Sequence, residues 1–323
     1  MIRIHTRRLP DDFARLASSR AVLAFGAALA LFAAPALLPA QWSGAGAAWA
    51  QAVYATPEAA ANAFTDALAT NDEGAMKHVL GSDFQQFIPT RNIGQEDIDD
   101  YLGAWAKGHR VVPDDKPVAG KASAHVEVGD SGWTLPIPIV QSGKGWHFDP
   151  REGAGEIFTR RIGRNERAAM LTSLAYVDAQ NDYRKLTQHY AQRFVSTPGT
   201  HDGLYWPVQP GDTESPLGPL AEAMPHNAKI TPKEGYHGYH FRILTAQGPH
   251  ASGGARSYLE NGELSGGFAL VAWPAQYGKT GVMSFIVNQD GQVYQKNLGP
   301  NGAQTAAAIK SFDPDASWRP ARP

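Results

Sequence analysis

One long helical pattern near the middle of the chain constrains its fold more than any other feature. From Gly155 to about Phe194, apolar residues recur every three or four positions, which is the spacing of an amphipathic helix. No proline lies in this segment and no glycine follows Gly163, so the helix can run unbroken. The 323 residues suggest two domains at roughly 100–200 residues each. The long helix is expected to begin the second domain, and one large domain is the alternative.

The first fifty residues have the features of an export signal. Five arginines lie within the first twenty residues, and Ala21–Ala40 is an almost uninterrupted apolar run. The tripeptide Ala48-Trp49-Ala50 then fits a small-residue site for signal peptidase. We therefore expect residues 1–50 to be a signal peptide, cleaved before Gln51. The alternative is an uncleaved membrane anchor, because the apolar run reaches the roughly 20 residues that span a bilayer.

Charge and cysteine content limit the classes of function. Cleavage before Gln51 changes the formal net charge from −2 to −5, because it removes five arginines and two aspartates. A mildly acidic chain lacks the basic surface that nucleic-acid binding needs. The chain has no cysteine, which excludes thiolate nucleophiles and cysteine-ligated metals. We expect a periplasmic or secreted protein that meets the membrane only through its signal segment, if that segment stays uncleaved.

The region from 51 to 152 is predicted to be an N-terminal α+β domain. Thr56, Pro57 and Glu58 are typical of a helix start, and two further short helices are expected after this one. From Lys121 to Phe148, apolar and polar residues alternate between glycine-containing turns, which indicates a small antiparallel meander. Helices followed by such a meander are typical of an α+β domain.

The region from 153 to 323 is predicted to be a long helix packed on a small antiparallel sheet. Segment 196–233 is rich in Pro, Gly, Asp and Ser and predicts a long loop. Asp290-Gly291 predicts a hairpin turn, and Ala303–Lys310 a short helix. Strands are expected at Tyr239–Thr245, Phe268–Trp273, Val282–Asn288 and Gln292–Lys296. The fold class is therefore α+β in both regions.

Two local resemblances concern the fold. The helix from Arg164 to Tyr183, with the last hairpin at Gly281–Gly291, resembles the heads of bacterial pilins and pseudopilins. This implies a pilin-head-like C-terminal domain, although the usual hydrophobic half of a pilin helix does not precede Asn165. The helix Thr56–Asp72 and the strand Gly145–Asp149 resemble the nuclear-transport-factor-two-like superfamily, in which helices line a curved sheet and a cone-shaped cavity.

Five sequence blocks resemble a bacterial family of exported proteins, the domain-of-unknown-function family numbered 2950. The blocks are Arg160–Glu166, Asp202–Pro207, Ser215–Leu220, Tyr236–Leu244 and Gly266–Pro274. They occur in order, and the resemblance covers nearly the whole mature chain. It implies an exported protein, and it carries no known activity, substrate or catalytic residue.

Aromatic residues beside proline or glycine are the best candidates for a binding surface. They are Tyr205, Trp206, Tyr236, Trp273 and Tyr277. Exposed rings of this kind can stack on sugars or peptides, and the alternative is that they cover the sheet and lie mostly buried. We therefore predict a non-enzymatic envelope binding or assembly protein. Its partner would be an envelope protein or a polysaccharide, bound through loops 196–235 and 273–281.

An envelope hydrolase or a small-ligand-binding enzyme is the alternative function. It would use a cavity in the N-terminal domain, where His125, Glu127, Trp133 and Asp149 are the candidates to converge. No motif identifies a catalytic residue, so enzymatic activity stays an open question, with a non-enzymatic role favoured. No cofactor is predicted. A minor component of a fibre is a third option, which an exposed sheet edge would support.

No metal site is predicted. His237 and His240 with Glu234 have a spacing that suggests joint ligation, but residues three apart on a strand point to opposite faces. Zinc sites usually need three or four convergent ligands. Asn288 and Asp290 resemble part of a calcium loop, yet the later ligands are missing, and a hairpin turn accounts for the pattern.

Overall fold

The computed structural model describes residues 50–88, 90, 93–208, 210–218 and 234–323. These residues form two compact units, an N-terminal unit that extends to Arg161 and a C-terminal unit from Ile162 to Pro323. The predicted signal peptide lies outside the described residues, except for Ala50. Within the described part, none of the helices combines the length and the apolar character needed to cross a bilayer.

Three helices open the N-terminal unit. They are α1 (Pro57–Ala69), α2 (Glu73–Leu80) and α3 (Gln95–Lys107). Helix α1 begins as predicted, because the Thr56 side chain accepts a hydrogen bond from the Ala59 N–H at 3.1 Å. The Asp72 side chain caps α2 in the same way. This helix ends at Gly81, whose φ of +94° suits a residue without a Cβ atom.

Five short strands form an antiparallel sheet in the same unit. They are β1 (His109–Pro113), β2 (Ser123–Val128), β3 (Trp133–Thr134), β4 (Ile139–Ser142) and β5 (Gly145–Phe148). The order is β1-β2-β4-β5, and β3 pairs with β2. Pro136 and Pro138 lie between β3 and β4 and keep them from forming one strand, because proline has no N–H to donate to a neighbouring strand. Strand β1 was not predicted, since its residues do not alternate between apolar and polar.

The core of the N-terminal unit lies between the helices and one face of β2. Val126 and Val128 on β2 are buried, as are Phe64 on α1 and Tyr101 on α3. The Phe64 and Tyr101 rings meet edge to face, with centroids 5.8 Å apart. The Tyr101 hydroxyl shares a 3.1 Å hydrogen bond with the Thr65 hydroxyl. The buried phenol therefore has a polar partner.

Stability of the N-terminal unit should fall at alkaline pH through Tyr101. Burial raises the pKa of Tyr101 to about 12, whereas an unfolded tyrosine titrates near 10. The unfolded chain therefore releases this proton first, and folding becomes less favourable as pH rises above about 10. Between about pH 8 and pH 11, we expect the free energy of unfolding to fall by roughly 1 kcal/mol more in the wild type than in Tyr101→Phe. Urea unfolding at both pH values measures this, and an unchanged pH dependence would contradict it.

Helix α4, Pro150–Thr187, spans the boundary between the two units. It begins before the predicted Gly155, because Asp149 accepts a hydrogen bond from the Glu152 N–H at 3.2 Å. It also ends before the predicted Phe194. Gln188 adopts a left-handed conformation with φ of +70°, and its N–H donates to the Arg184 carbonyl. A left-handed residue after the last turn is a common helix end, but glycine is the residue that usually signals it.

The C-terminal unit contains an antiparallel sheet in the order β14-β13-β12-β11-β6. Its strands are β6 (Tyr239–Leu244), β11 (Ala269–Pro274), β12 (Met283–Asn288), β13 (Tyr294–Asn297) and β14 (Arg319–Pro320). Two small ladders pair β7 (Ala246–Gln247) with β8 (Arg256–Ser257) and β9 (Leu259–Glu260) with β10 (Glu263–Leu264). Helix α5 is Gly302–Ala308. The four predicted strands and the short helix are confirmed, and the α+β fold class with them.

The long helix packs on this sheet, as predicted. Tyr176 on α4 is buried, its ring lies 5.6 Å from that of Phe268, and its hydroxyl donates to the Ala269 carbonyl at 3.3 Å. Gln180 is fully buried one turn later. Its amide exchanges two 2.8 Å hydrogen bonds with the backbone of Ala191 and donates to the Tyr176 hydroxyl. This amide therefore ties the chain after α4 back onto the helix.

The predicted hairpin between β12 and β13 is also present. Gly291 has a φ of +74°, and its N–H donates to the Asn288 carbonyl at 3.0 Å. The Asp290 N–H donates to the Asn288 side-chain oxygen at 3.2 Å. Asn288 and Asp290 thus act within the turn, which accounts for the calcium-like spacing.

Candidate functional site

A four-residue turn, Tyr236–Tyr239, leads into β6. The N–H of Tyr236 donates to the Tyr239 carbonyl at 2.8 Å, and the reverse hydrogen bond is 2.9 Å long. The central residues both have positive φ, +47° at His237 and +75° at Gly238. These are the signs of a type I′ turn, in which asparagine or glycine is the usual first central residue. A histidine there costs on the order of 1 kcal/mol, so contacts around the turn must hold it.

The turn packs against the segment that precedes β12. A Cβ atom at Gly238 would lie 2.7 Å from Cβ of Thr280 and 3.0 Å from the side-chain nitrogen of Asn165. Asn165, on α4, donates from Nδ2 to the Thr280 carbonyl at 2.9 Å. Residues from two of the predicted sequence blocks, 160–166 and 236–244, therefore meet in the folded chain.

Glu166 and Tyr239 fix the beginning of β12. Oε1 of Glu166 accepts hydrogen bonds from the N–H groups of Val282 at 2.8 Å and Met283 at 3.0 Å. The hydroxyl of buried Tyr239 donates to the Met283 carbonyl at 2.8 Å. Burial, together with the negative charge of Glu166, raises the pKa of Tyr239. The phenol therefore remains a neutral donor over the physiological pH range.

Three of the five predicted aromatic residues lie around this turn and its neighbouring strands. Tyr236, Trp273 and Tyr277 are each half-buried. Trp273 on β11 is opposite His240 on β6, with ring centroids 5.6 Å apart. The Tyr236 ring lies 4.3 Å from that of His237, and Tyr277 follows in the loop after β11. We refer to Tyr236, Trp273 and Tyr277 together as the aromatic surface; Trp273 shares a sheet face with His240, whereas Tyr236 pairs with Tyr239 and lies beside Phe241.

The other two predicted residues are not part of the aromatic surface. Trp206 is only 3% exposed and packs in the hydrophobic core of the C-terminal unit. Its indole N–H donates to the Thr213 carbonyl at 3.0 Å, so the ring is a core side chain and its assignment to a binding surface is corrected. Tyr205 is half-buried and forms an isolated backbone bridge with Val195. Residues 209 and 219–233 of the predicted binding loop lie outside the described residues.

His237 and His240 titrate below the ordinary histidine range. Partial desolvation lowers the pKa of both side chains, and for the more exposed His237 the positive charge of Arg164 lowers the pKa further. Both imidazoles are therefore neutral at neutral pH and add hydrogen-bonding groups, but no charge, beside the aromatic surface. In the part of the chain that the structure describes, no three His, Cys, Asp or Glu side chains form a group that can hold a metal ion.

The four residues predicted to converge in the N-terminal unit have separate partners. They are His125, Glu127, Trp133 and Asp149. His125 Nδ1 lies 2.6 Å from Asp114 Oδ1, and Glu127 pairs with Arg110. Asp149 caps α4. Trp133 contacts Tyr101 and Arg160. Cross-strand pairing explains part of this arrangement, because Glu127 lies directly opposite Arg110 in the β1–β2 register. The prediction of one shared site for these residues is therefore corrected.

A different part of the N-terminal unit contains a cleft of about 200 Å³. Its lining residues come from α1, α3, β1 and β2. They are Glu58, Ala61, Asn62, Trp105, His109, Arg110, Val111 and Val126. The rings of Trp105 and His109 stack in parallel at 3.7 Å. These residues were not predicted as a site, and the one local signal for them was the helical spacing that puts 58, 61 and 62 on one face of α1.

The fold and these features define an α+β protein with two units, each built around an antiparallel sheet. The chain belongs to the family described as protein of unknown function DUF2950, whose family model matches residues 51–321. This match confirms the family predicted from the five sequence blocks. Comparisons with curated proteins and with solved structures gave no match, so they do not confirm the resemblances to pilin heads and to the nuclear-transport-factor-two-like superfamily.

Proposed function

We propose that the mature chain is a non-enzymatic binding protein of the bacterial cell envelope. It contacts an envelope protein or a polysaccharide through the aromatic surface of the C-terminal unit. The observation that carries this proposal is that Trp273 and Tyr277 are half-buried on β11 and the loop after it, and that the turn containing half-buried Tyr236 packs on the same loop. Aromatic side chains are enriched among the residues that dominate binding energy at interfaces.

The rigidity of the frame supports a binding role. The turn at Tyr236–Tyr239 is closed by two backbone hydrogen bonds, and Asn165 and Glu166 hold the neighbouring segment to α4. A surface that is already ordered loses less conformational entropy when a partner binds. The features of an export signal in residues 1–50, and a family match that begins at Gln51, support an envelope location.

Replacing two rings of the aromatic surface should abolish most partner binding. We expect the double variant Trp273→Ala, Tyr277→Ala of chain 51–323 to retain at least tenfold less envelope material than the wild type. The physical reason is that truncating a central aromatic residue costs about 2 kcal/mol or more of binding free energy. Immobilised protein is incubated with detergent-solubilised envelope and, separately, with purified cell-wall polysaccharide.

Trp133→Ala is the matched control for this experiment. Trp133 is 42% exposed and belongs to the N-terminal unit, so its loss should leave binding unchanged. Circular dichroism establishes that each variant is folded. Protease treatment of the envelope extract abolishes capture of a protein partner and spares a polysaccharide. Equal capture by the wild type and the folded double variant would contradict the proposal.

A further inference from the structure

We infer that the cleft between α1 and β1 of the N-terminal unit binds a single neutral sugar ring. The inference goes beyond the proposed function, because it concerns a small ligand and a different unit of the chain. The size of the cleft restricts the ligand first. Its volume of about 200 Å³ is below the roughly 300–1,000 Å³ typical of pockets for drug-sized molecules. One ring with its substituents is therefore the suitable size.

Part of the lining of the cleft is apolar or aromatic. Ala61 and Val126 are 1% and 0% exposed, and they form the floor together with Val111. The Trp105 and His109 rings stack face to face, 3.7 Å apart and 7° from parallel, so each ring keeps only its outer face for a ligand. His109 Nδ1 lies 3.1 Å from the Trp105 carbonyl, which fixes the imidazole against the indole. An aromatic wall of this kind can pack against the C–H face of a sugar ring.

The rim of the cleft supplies hydrogen-bonding groups for hydroxyls. Glu58 and Asn62 lie one helical turn apart on α1 and are exposed. Among the described residues, neither side chain takes part in a hydrogen bond or an ion pair. A carboxylate accepts hydrogen bonds from hydroxyl groups, and an amide both donates and accepts. These two groups therefore complement the polar edge of a sugar whose apolar face is against the rings.

The charges around the cleft disfavour an anionic ligand. Arg110 lines the cleft, but its guanidinium is bound to both carboxylate oxygens of Glu127, at 2.9 and 3.0 Å. The remaining rim charge is the carboxylate of Glu58, which repels anions. A cationic ligand would pair with the Glu58 carboxylate, but it would give the Asn62 amide no hydrogen-bond partner. A neutral sugar uses both groups and the aromatic wall.

The test is a titration of chain 51–323 with glucose and N-acetylglucosamine, followed by the indole N–H signals in NMR spectra. Trp105→Phe identifies the Trp105 signal. We expect a saturable shift of that signal with at least one sugar, and at least tenfold weaker binding in Glu58→Ala and in Asn62→Ala. Both positions are exposed, so these variants should fold. Asp66→Ala is the matched control on α1, because Asp66 is exposed and does not line the cleft.

Two results would overturn the inference. One is the absence of a saturable shift of the Trp105 signal with either sugar. Choline serves as a cationic probe, and a shift with choline but with neither sugar counts as the same result. The other is a sugar affinity in Glu58→Ala and Asn62→Ala that equals the affinity of the Asp66→Ala control. Trp273→Ala, Tyr277→Ala should bind free sugar as tightly as the wild type, and Glu58→Ala should capture envelope material as well as the wild type does, so failure of this inference and failure of the proposed function are separate outcomes.

Discussion

Replacing Gln180 with leucine is expected to lower the free energy of unfolding by roughly 3 kcal/mol. Gln180 is fully buried, and its amide forms hydrogen bonds to both backbone polar groups of Ala191 and to the Tyr176 hydroxyl. Leucine has a similar size but cannot form any of these bonds. The N–H and carbonyl of Ala191 would stay buried without partners, and such groups cost about 1–3 kcal/mol each.

Urea unfolding of chain 51–323 measures this effect, with Gln304→Leu as the matched control. Gln304 is exposed on α5, where the same substitution should change stability by no more than about 0.5 kcal/mol. A loss below about 1 kcal/mol in Gln180→Leu would show that the buried amide does not hold the chain after α4 in place.

Alanine at Gly281 is expected to destabilise the C-terminal unit by roughly 2–3 kcal/mol. A Cβ atom there would collide with the Tyr239 hydroxyl oxygen and would lie only 2.6 Å from the carbon that carries it. The Tyr239 ring is fully buried and cannot move without losing its hydrogen bond to the Met283 carbonyl. The same displacement would disturb the start of β12, beside the aromatic surface.

Thermal unfolding of Gly281→Ala tests this prediction, with Gly163→Ala as the control. Gly163 is exposed on α4 and has no atom within 4 Å of a Cβ, so alanine there should stabilise the helix by about 0.5–1 kcal/mol. Adding Tyr239→Phe to Gly281→Ala should recover part of the loss, because it removes the oxygen that collides. Strict additivity of the two substitutions would mean that the collision is not the cause.

Features with a local cause were predictable from the sequence. The start of α1 depends on Thr56 and on hydrogen bonds three residues away, and the β12–β13 turn depends on Gly291 within the turn itself. The end of α4 was not predictable in the same way. Gln188 takes the left-handed conformation that usually calls for glycine, and contacts of the following chain with the helix stabilise it there.

Two Trp-Pro pairs show how far the sequence can predict which aromatic residues belong to the candidate site. Trp206 and Trp273 each precede a proline, and the sequence pattern treats them alike. Only the fold separates them, because Trp206 packs in the core with its N–H bonded to Thr213, whereas Trp273 stays half-buried opposite His240. The cleft in the N-terminal unit could not be predicted from the sequence, since its residues come from four elements between positions 58 and 126.

The sequence by itself determined the α+β class, the family, and the helices and turns whose signals lie within a few residues. It did so because capping, periodicity and turn geometry act over one or two helical turns. The tertiary structure alone decided which aromatic rings are buried, where Asn165 and Glu166 bind, and which residues enclose the cleft. Those outcomes depend on residues far apart in the chain, such as Glu166 and Val282, and only packing brings them together.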